Sequence, residues 1–143
     1  MRGKDTRCGN LMTFACRALE LLLAMAHYES LVAWKECHAL TLVVYRITRE
    51  FPKQELYGLT SQARRAAFSA AANIAEGSAK RGSREFRRFL DISLGSLAEL
   101  AYTLRLAREL GVLLESDWEE VNDLRNRAGH LTWRLYQSLS KRS

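Results

Sequence analysis

The side chains best suited to chemistry in this sequence are basic. Residues 58–89 carry seven Lys and Arg side chains against only Glu76 and Glu85, so this segment holds +5 of the chain's net charge of +6. A local excess of this kind is typical of a surface that meets an anionic partner such as nucleic acid. The candidate nucleic-acid-binding residues are Arg64, Arg65, Lys80, Arg81, Arg84, Arg87 and Arg88.

The spacing predicts how these residues are grouped. Arg84, Arg87 and Arg88 share one helical face, because residues three and four apart are neighbours on a helix. Lys80 and Arg81 lie in the turn just before them, while the other two arginines fall further along the preceding helix. Such a surface would neutralise several phosphates and bind without sequence preference, in a salt-sensitive manner.

Three alternatives remain open for these cations. They form a solvated face, or they pair locally, with Asp91 reaching Arg87 or Arg88 and Glu85 reaching Arg88. Otherwise they pair with acids such as Glu99 or Glu109 of a neighbouring subunit in an oligomer.

The sequence offers little for catalysis. The three histidines are isolated, and the chain has no HExxH, ExxH or CxxC spacing and no Gly-rich phosphate loop. We therefore expect no enzyme, no metal site and no cofactor. The aromatic residues fit core edges or interfaces better than a base-stacking platform: Phe86, Phe89, Trp34, Trp118, Trp133 and Tyr136.

Four amphipathic helices are predicted to position these side chains. Helix one covers about 31–50 and is stopped by Pro52. Helix two is alanine-rich, starts near Thr60 or Ser61 as caps and runs to residue 77. Helix three starts around Ser83 and is ended by Gly111, and helix four opens with the capping box of Ser116 and Glu119.

The apolar residues of three of these helices recur at steps of three and four, as in the seam of a bundle. In helix one they are Ala33, Cys37, Leu40, Val44, Ile47 and Phe51. In helix three they are Phe86, Leu90, Ser93, Leu97, Leu100, Leu104 and Ala107. In helix four they are Val121, Leu124, Ala128, Leu131, Leu135 and Ser138.

Short connectors between such helices predict an all-α fold, an antiparallel up-and-down four-helix bundle over residues 31–139. Residues 1–30 form an extension, either an extra helix or a disordered segment, and 140–143 a frayed tail. Since the regular helical pattern begins after Met25, that methionine is a candidate for the true translation start.

One surface of helix three suggests self-association. Tyr102 and Leu106 point away from the apolar stripe, and Gly95 and Glu99 lie on the same side. Exposed apolar groups beside a small residue predict an oligomer interface, with scattered surface hydrophobes as the alternative.

The three cysteines, at irregular spacing, do not form a disulfide framework, which indicates a reducing compartment and a cytoplasmic protein. Arg17 and Glu20 interrupt the apolar stretch of residues 11–26. That stretch is too short to span a bilayer, so neither secretion nor a membrane location is expected.

Residues 31–113 resemble the bacterial four-helix-bundle family encoded in intervening sequences of large-subunit ribosomal RNA genes. That family is related to the accessory variability determinant of diversity-generating retroelements. The segments that carry the resemblance are FPKQELYGLTSQ (51–62), RRAA with NIAEG (64–67 and 73–77), and EFRRFL with GSLAEL (85–90 and 95–100). The family often has Ile-Pro-Ser where this chain has Ala70, Ala71 and Ala72, so a straighter second helix is expected.

The resemblance implies a ring-shaped homopentamer, and in the retroelement relatives a basic pentamer that binds a reverse transcriptase and nucleic acid. Asn73, Glu76 and Gly77 form a family motif without obvious chemistry, and a structural role at the helix end is favoured. We therefore predict a non-catalytic basic oligomer that binds RNA, single-stranded DNA or an RNA-handling partner. The alternative is a structural, protein-interaction oligomer in which the arginines make inter-subunit salt bridges.

Overall fold

A computed structural model of the chain describes residues 7–141, with the side chains of 12–23 and 27–141. Residues 1–6 of the expected extension, the side chain of Met25 and residues 142–143 lie outside that part. The described chain forms five α-helices and contains no β-strand. The helices are α1 (Arg7–Ala26), α2 (Val32–Ile47), α3 (Leu59–Ser78), α4 (Ser83–Glu109) and α5 (Glu115–Ser140).

Helices α2 to α5 form the predicted four-helix bundle. Each packs against its two neighbours in a square, so that α2 and α4 both contact α3 and α5. Contacts between α2 and α5 show the antiparallel direction: Glu36 pairs with Arg127, whereas Arg46, ten residues later on α2, pairs with the earlier Glu120 on α5. The extra helix α1 precedes the bundle, and its described residues contact the end of α3 and the following 3-10 turn His27–Ser30.

The core follows the predicted stripes closely. Every residue of the helix-one stripe is buried, from Ala33 to Phe51, and the helix-three stripe is buried from Leu90 to Ala107, with Phe86 half-buried at its end. On α5 the stripe is buried at Val121, Leu124 and Ala128 and half-buried at Leu131 and Leu135. The bundle therefore closes on the seams that the helical period indicates.

The predicted apolar stripe of α5 is wrong at its last residue. Ser138 is exposed, whereas Thr132 is fully buried. A hydroxyl is tolerated in the core here because Thr132 Oγ1 donates to the Ala128 carbonyl oxygen at 2.7 Å. Ser140, placed in the frayed tail, still belongs to the helix and bonds to the Tyr136 carbonyl oxygen at 3.1 Å.

Two predicted helix caps are wrong. Helix α3 begins at Leu59, before Thr60 and Ser61, and the backbone N–H of Leu59 donates to Glu55 Oε2 at 3.2 Å. Helix α5 begins at Glu115 with Leu114 as N-cap, so Ser116 and Glu119 form no capping box.

The earlier start of α5 has a local cause. Leu113 is buried and its N–H bonds to the Ala107 carbonyl oxygen, while Glu115 pairs with Arg108. These contacts close the turn between α4 and α5 before the chain reaches Ser116.

Helix α3 owes its close packing to small residues. Ala63, Ala66, Ala67, Ala70 and Ala71 are all buried, and α3 runs without interruption through the positions where a proline was expected in relatives. The neighbouring helices come close enough to hydrogen-bond its backbone: Thr41 Oγ1 donates to the Ala67 carbonyl oxygen and Ser93 Oγ to that of Ala70.

In the described part of the chain, no helix combines the length and the apolar character that crossing a membrane requires. Helix α1 nevertheless exposes large apolar side chains, among them Met12, Phe14 and Leu22. The described side chains of α1, those of residues 12–23, are all exposed and contribute none of the buried core.

Candidate nucleic-acid interface

Five of the seven predicted cations come together where α3 passes into α4. Lys80 and Arg81 lie in the connecting turn, and Arg84, Arg87 and Arg88 lie on the first two turns of α4. We call these five residues the basic turn. The turn is closed by Gly82 at φ +89°, a left-handed conformation that glycine adopts readily.

Two members of the basic turn are already engaged. Lys80 Nζ lies 3.9 Å from Glu76 Oε1 and 5.2 Å from the centre of the Phe89 ring. Arg87 is half-buried, and its Nη1 donates to Ser140 Oγ at 3.3 Å. Arg87 Nε is buried without a hydrogen-bond partner in the described chain, so this side chain is held against the bundle.

The other three members, Arg81, Arg84 and Arg88, are exposed. No carboxylate among the described side chains lies within ion-pair distance of any of them. The local pairs of Glu85 and Asp91 with the arginines of α4 are not formed, although all these groups are on the same helix. The basic turn therefore presents three cations without counter-ions among the described residues.

Arg64 and Arg65 do not join the basic turn. They lie in the first half of α3, whereas the basic turn follows its end. Fifteen residues separate Arg65 from Lys80, which corresponds to a rise of about 22 Å along a helix. Arg64 Nε donates to Thr48 Oγ1 at 2.8 Å, and its guanidinium lies 4.8 Å from the centre of the Tyr45 ring. Arg64 thus fastens α3 to α2 and lies away from the basic turn.

Arg65 is exposed and belongs to a different surface. It lines a cavity of about 440 Å³ on the outer side of α3 and α4, together with Phe68 and Glu99. The two side chains Arg65 and Glu99 form no ion pair within the described chain. Sequence spacing separated Arg65 from the basic turn but did not place it opposite Glu99.

Sequence reasoning missed that α1 adjoins the basic turn. A cavity of about 270 Å³ is lined by Arg17, Glu20 and Leu21 of α1 and by Lys80 and Arg81. Arg17 therefore adds a sixth cation near the basic turn, and Glu20 adds an acid. Helix α1 and the basic turn lie side by side because of the direction that the chain takes at residues 27–31. No local sequence pattern predicts this direction.

The three motif residues have structural surroundings. Asn73 Nδ2 donates to the Ser69 carbonyl oxygen at 2.8 Å and to Ser69 Oγ at 3.1 Å, and Ser69 Oγ lies 2.7 Å from Ser96 Oγ on α4. Glu76 pairs with Lys80. This motif therefore organises the end of α3 and its contact with α4.

Gly77 is the member of the motif with the strictest requirement. A Cβ at this position would lie 2.7 Å from both Phe86 Cδ2 and Phe89 Cβ. The glycine allows the start of α4, which carries the arginines, to pack directly on the end of α3.

The four residues of the predicted interface on α4 differ in their exposure. Tyr102 is 67% exposed and Glu99 is exposed. Gly95 faces open space, since a Cβ added there would meet no atom of the described chain within 4 Å. The prediction that Leu106 is exposed is wrong, because this side chain is half-buried and packs against the core. The buried face of α4 includes more than two of every seven residues, so Leu106 lies at the edge of that face.

The core of the bundle contains a buried thiol, and the described residues contain no metal site. Burial raises the pKa of the Cys37 thiol to about 11, with a smaller opposing effect from Thr132, whose Oγ1 lies 3.7 Å from Cys37 Sγ. A neutral thiol in the core is a packing group. Within the described residues, no three His, Cys, Asp or Glu side chains are grouped so that they could hold a metal ion.

The family model described as 23S rRNA-intervening sequence protein matches residues 29–134. The chain belongs to this family. The match of the intervening sequence protein begins just before α2 and ends within α5, so it contains the basic turn and the Asn73, Glu76 and Gly77 motif. Helix α1 lies outside it. No curated protein matches the chain.

Proposed function

We propose that this intervening sequence protein binds RNA or single-stranded DNA, without catalysing a reaction, through the basic turn. The observation that supports this most is the state of Arg81, Arg84 and Arg88, which are exposed and lack carboxylate partners in the described chain. Glu85 and Asp91, the acids close to them in the sequence, form no ion pair with them.

The physical basis is neutralisation of phosphate charge. Each Arg–phosphate contact releases counter-ions from the nucleic acid, so affinity falls steeply as salt rises. Three guanidinium groups on a rigid helix start and turn suit a backbone whose phosphates are regularly spaced, and they read no base. Lys80 and Arg87 add positive potential while fixing the shape of the turn.

The proposal includes self-association and a protein partner. The family resemblance implies a homopentamer, in which every subunit would repeat the basic turn and raise the affinity for a long anionic chain. The same resemblance suggests a reverse transcriptase or another RNA-handling protein as partner, in the cytoplasm.

The second candidate function is a structural, protein-interaction homo-oligomer. It is favoured by large apolar side chains left exposed on α3 and α4: Phe68 is 63% exposed, Tyr102 67% and Ile92 46%. In this function the arginines of one subunit, those of the basic turn and Arg65, pair with acids such as Glu99 or Glu109 of the next subunit, and no nucleic acid is bound.

Charge reversal separates the two functions. The triple variant Arg81→Glu, Arg84→Glu and Arg88→Glu is compared with Arg49→Glu, Lys53→Glu and Arg134→Glu, three exposed cations elsewhere with the same total charge change. We expect the first variant to lose at least a hundredfold in affinity for a fluorescent single-stranded RNA, measured by anisotropy, and the second to lose much less.

Light scattering on both variants completes the experiment. If the first variant is monomeric where the wild type is an oligomer, in the absence of nucleic acid, the arginines serve assembly and the second function is supported. Equal loss of RNA binding in both variants, or no binding by the wild type at low salt, would contradict the first function.

A further inference from the structure

A second surface of the molecule combines cations with planar side chains. An open groove of about 740 Å³ lies between the second half of α4 and the first half of α5. Its walls include Tyr102, Arg105, Arg108, Trp118 and Arg125. We call it the α4–α5 groove. It lies at the opposite end of α4 from the basic turn, and neither proposed function uses its arginines.

Two of the three arginines are neutralised within the chain. Arg105 Nε lies 2.9 Å from Glu109 Oε1. Arg108 Nε donates to Glu115 Oε2 at 3.0 Å, and its Nη2 pairs with Oε1 of the same carboxylate. These pairs fix the walls of the groove and leave little charge for a ligand.

Arg125 is different. Its Nη2 donates to the side-chain amide oxygens of Asn122 at 3.1 Å and Asn126 at 2.6 Å, and no carboxylate among the described side chains pairs with it. Nε and Nη1 form no hydrogen bond within the described chain, and each can donate separately to an anion such as a phosphate. Partial burial lowers the pKa of Arg125 because desolvation disfavours the charged form. A bound anion would compensate for that lost solvation.

The groove also offers planar surfaces. The ring of Tyr102 is 67% exposed, and the Arg108 guanidinium lies 4.7 Å from the centre of the Trp118 ring, which holds that indole in place. An exposed ring beside arginines is the arrangement on which nucleic-acid bases stack. The sequence predicted that Tyr102 points away from the core but assigned it to an oligomer interface, because its place in the same groove as Arg125 depends on how α4 and α5 pack.

We propose that the α4–α5 groove binds one nucleotide, with its phosphate at Arg125 and its base against Tyr102. An unpaired cation suits the phosphate group of a nucleotide, and the groove of about 740 Å³ is much larger than a bare phosphate needs. The nucleotide is either free or part of a single strand. The site is independent of the basic turn, so either proposal stands if the other fails.

The test is calorimetric titration of the full chain with AMP and, separately, with adenosine and with inorganic phosphate. We expect AMP to bind and each half-ligand to bind at least tenfold more weakly. Tyr102→Ala should weaken AMP binding by about fivefold to a hundredfold, the range of one lost stacking contact. Arg125→Gln should weaken it by tenfold or more, and Arg125→Lys, which keeps the charge, should retain part of the affinity.

Matched controls keep the result specific. Tyr57→Ala removes a tyrosine that is 91% exposed in another part of the chain, and Arg134→Gln removes an exposed arginine of α5 outside the groove. Both should bind AMP like the wild type. A ten-nucleotide poly-U strand distinguishes the sources: a strand that displaces AMP and binds more tightly per site indicates a chain nucleotide, and AMP that resists displacement indicates a free one.

Three results would overturn the proposal. They are no binding of AMP at millimolar concentration, binding of phosphate as tight as that of AMP with no effect of Tyr102→Ala, and dissociation of an oligomer by Tyr102→Ala. The last result would assign Tyr102 to a contact between subunits. Thermal unfolding of each variant, followed by circular dichroism, verifies that the compared proteins are folded.

Discussion

At the scale of single residues, the contact between the end of α3 and the start of α4 depends on the absence of one methyl group. Gly77 is buried beneath Phe86 and Phe89, and this packing holds the helix start that carries Arg84 and Arg88. The motif in which Gly77 lies therefore positions the helix start that carries the candidate interface.

We expect Gly77→Ala to destabilise the protein by about 1–3 kcal/mol, because the overpacking cost exceeds the gain in helix propensity. Gly95→Ala is the matched control, since α4 is also helical there but the space is open. It should raise the free energy of unfolding by up to about 1 kcal/mol. Urea unfolding measures both. Equal effects of the two substitutions would show that Gly77 is not in tight contact with the two phenylalanines.

Cys37 gives a pH-dependent prediction. Because its folded-state pKa is raised from 9.0 to about 11, the folded protein holds this proton more tightly than the unfolded chain, and stability should fall as pH rises from 9 to 11. The full effect is up to about 2–3 kcal/mol.

Since lysines and tyrosines titrate in the same range, the measurement is the difference in urea unfolding between wild type and Cys37→Ala at pH 8 and about pH 10.5. The variant should lose less stability than the wild type over this interval. A parallel loss in the two proteins would mean that the thiol is not protected by burial.

At the scale of elements, periodicity predicts faces better than it predicts ends. The stripe from Ala33 to Phe51 is buried at every position, because a strong apolar period leaves one way to rotate the helix toward a core. Helix ends depend on one or two hydrogen bonds that compete with the packing of the connecting turn. The N-cap of α5 is therefore Leu114 and not Ser116, and Glu55 supplies an oxygen from outside α3.

These caps can be tested directly. Glu55→Ala should lower the free energy of unfolding by about 0.5–2 kcal/mol, because the Leu59 N–H loses its acceptor. Ser116→Ala, at the predicted but unformed capping box, should change it by less than about 0.5 kcal/mol. A larger effect of the serine substitution would favour the cap that the sequence predicts over the one in the structure.

At the scale of the whole molecule, the bundle separates an apolar interior from a surface on which charge is unevenly distributed. The grouping of Lys80, Arg81 and the arginines of α4 followed from a short turn between two helices, so sequence spacing predicted it. The engagement of Arg64 with Tyr45 and Thr48 did not follow, because it requires the relative rotation of α2 and α3. The position of α1 beside the basic turn was equally invisible, since no local pattern encodes a tertiary contact.

The most direct test of phosphate binding by the basic turn is the salt dependence of RNA binding by wild type and by the variant Arg81→Gln, Arg84→Gln and Arg88→Gln. For a single strand, each phosphate contact contributes about 0.7 to the slope of log affinity against log salt, so removing three should reduce the slope by about 2. We expect that reduction together with weaker binding at every salt concentration. An unchanged slope would show that these three cations do not contact phosphates and would contradict the proposed interface.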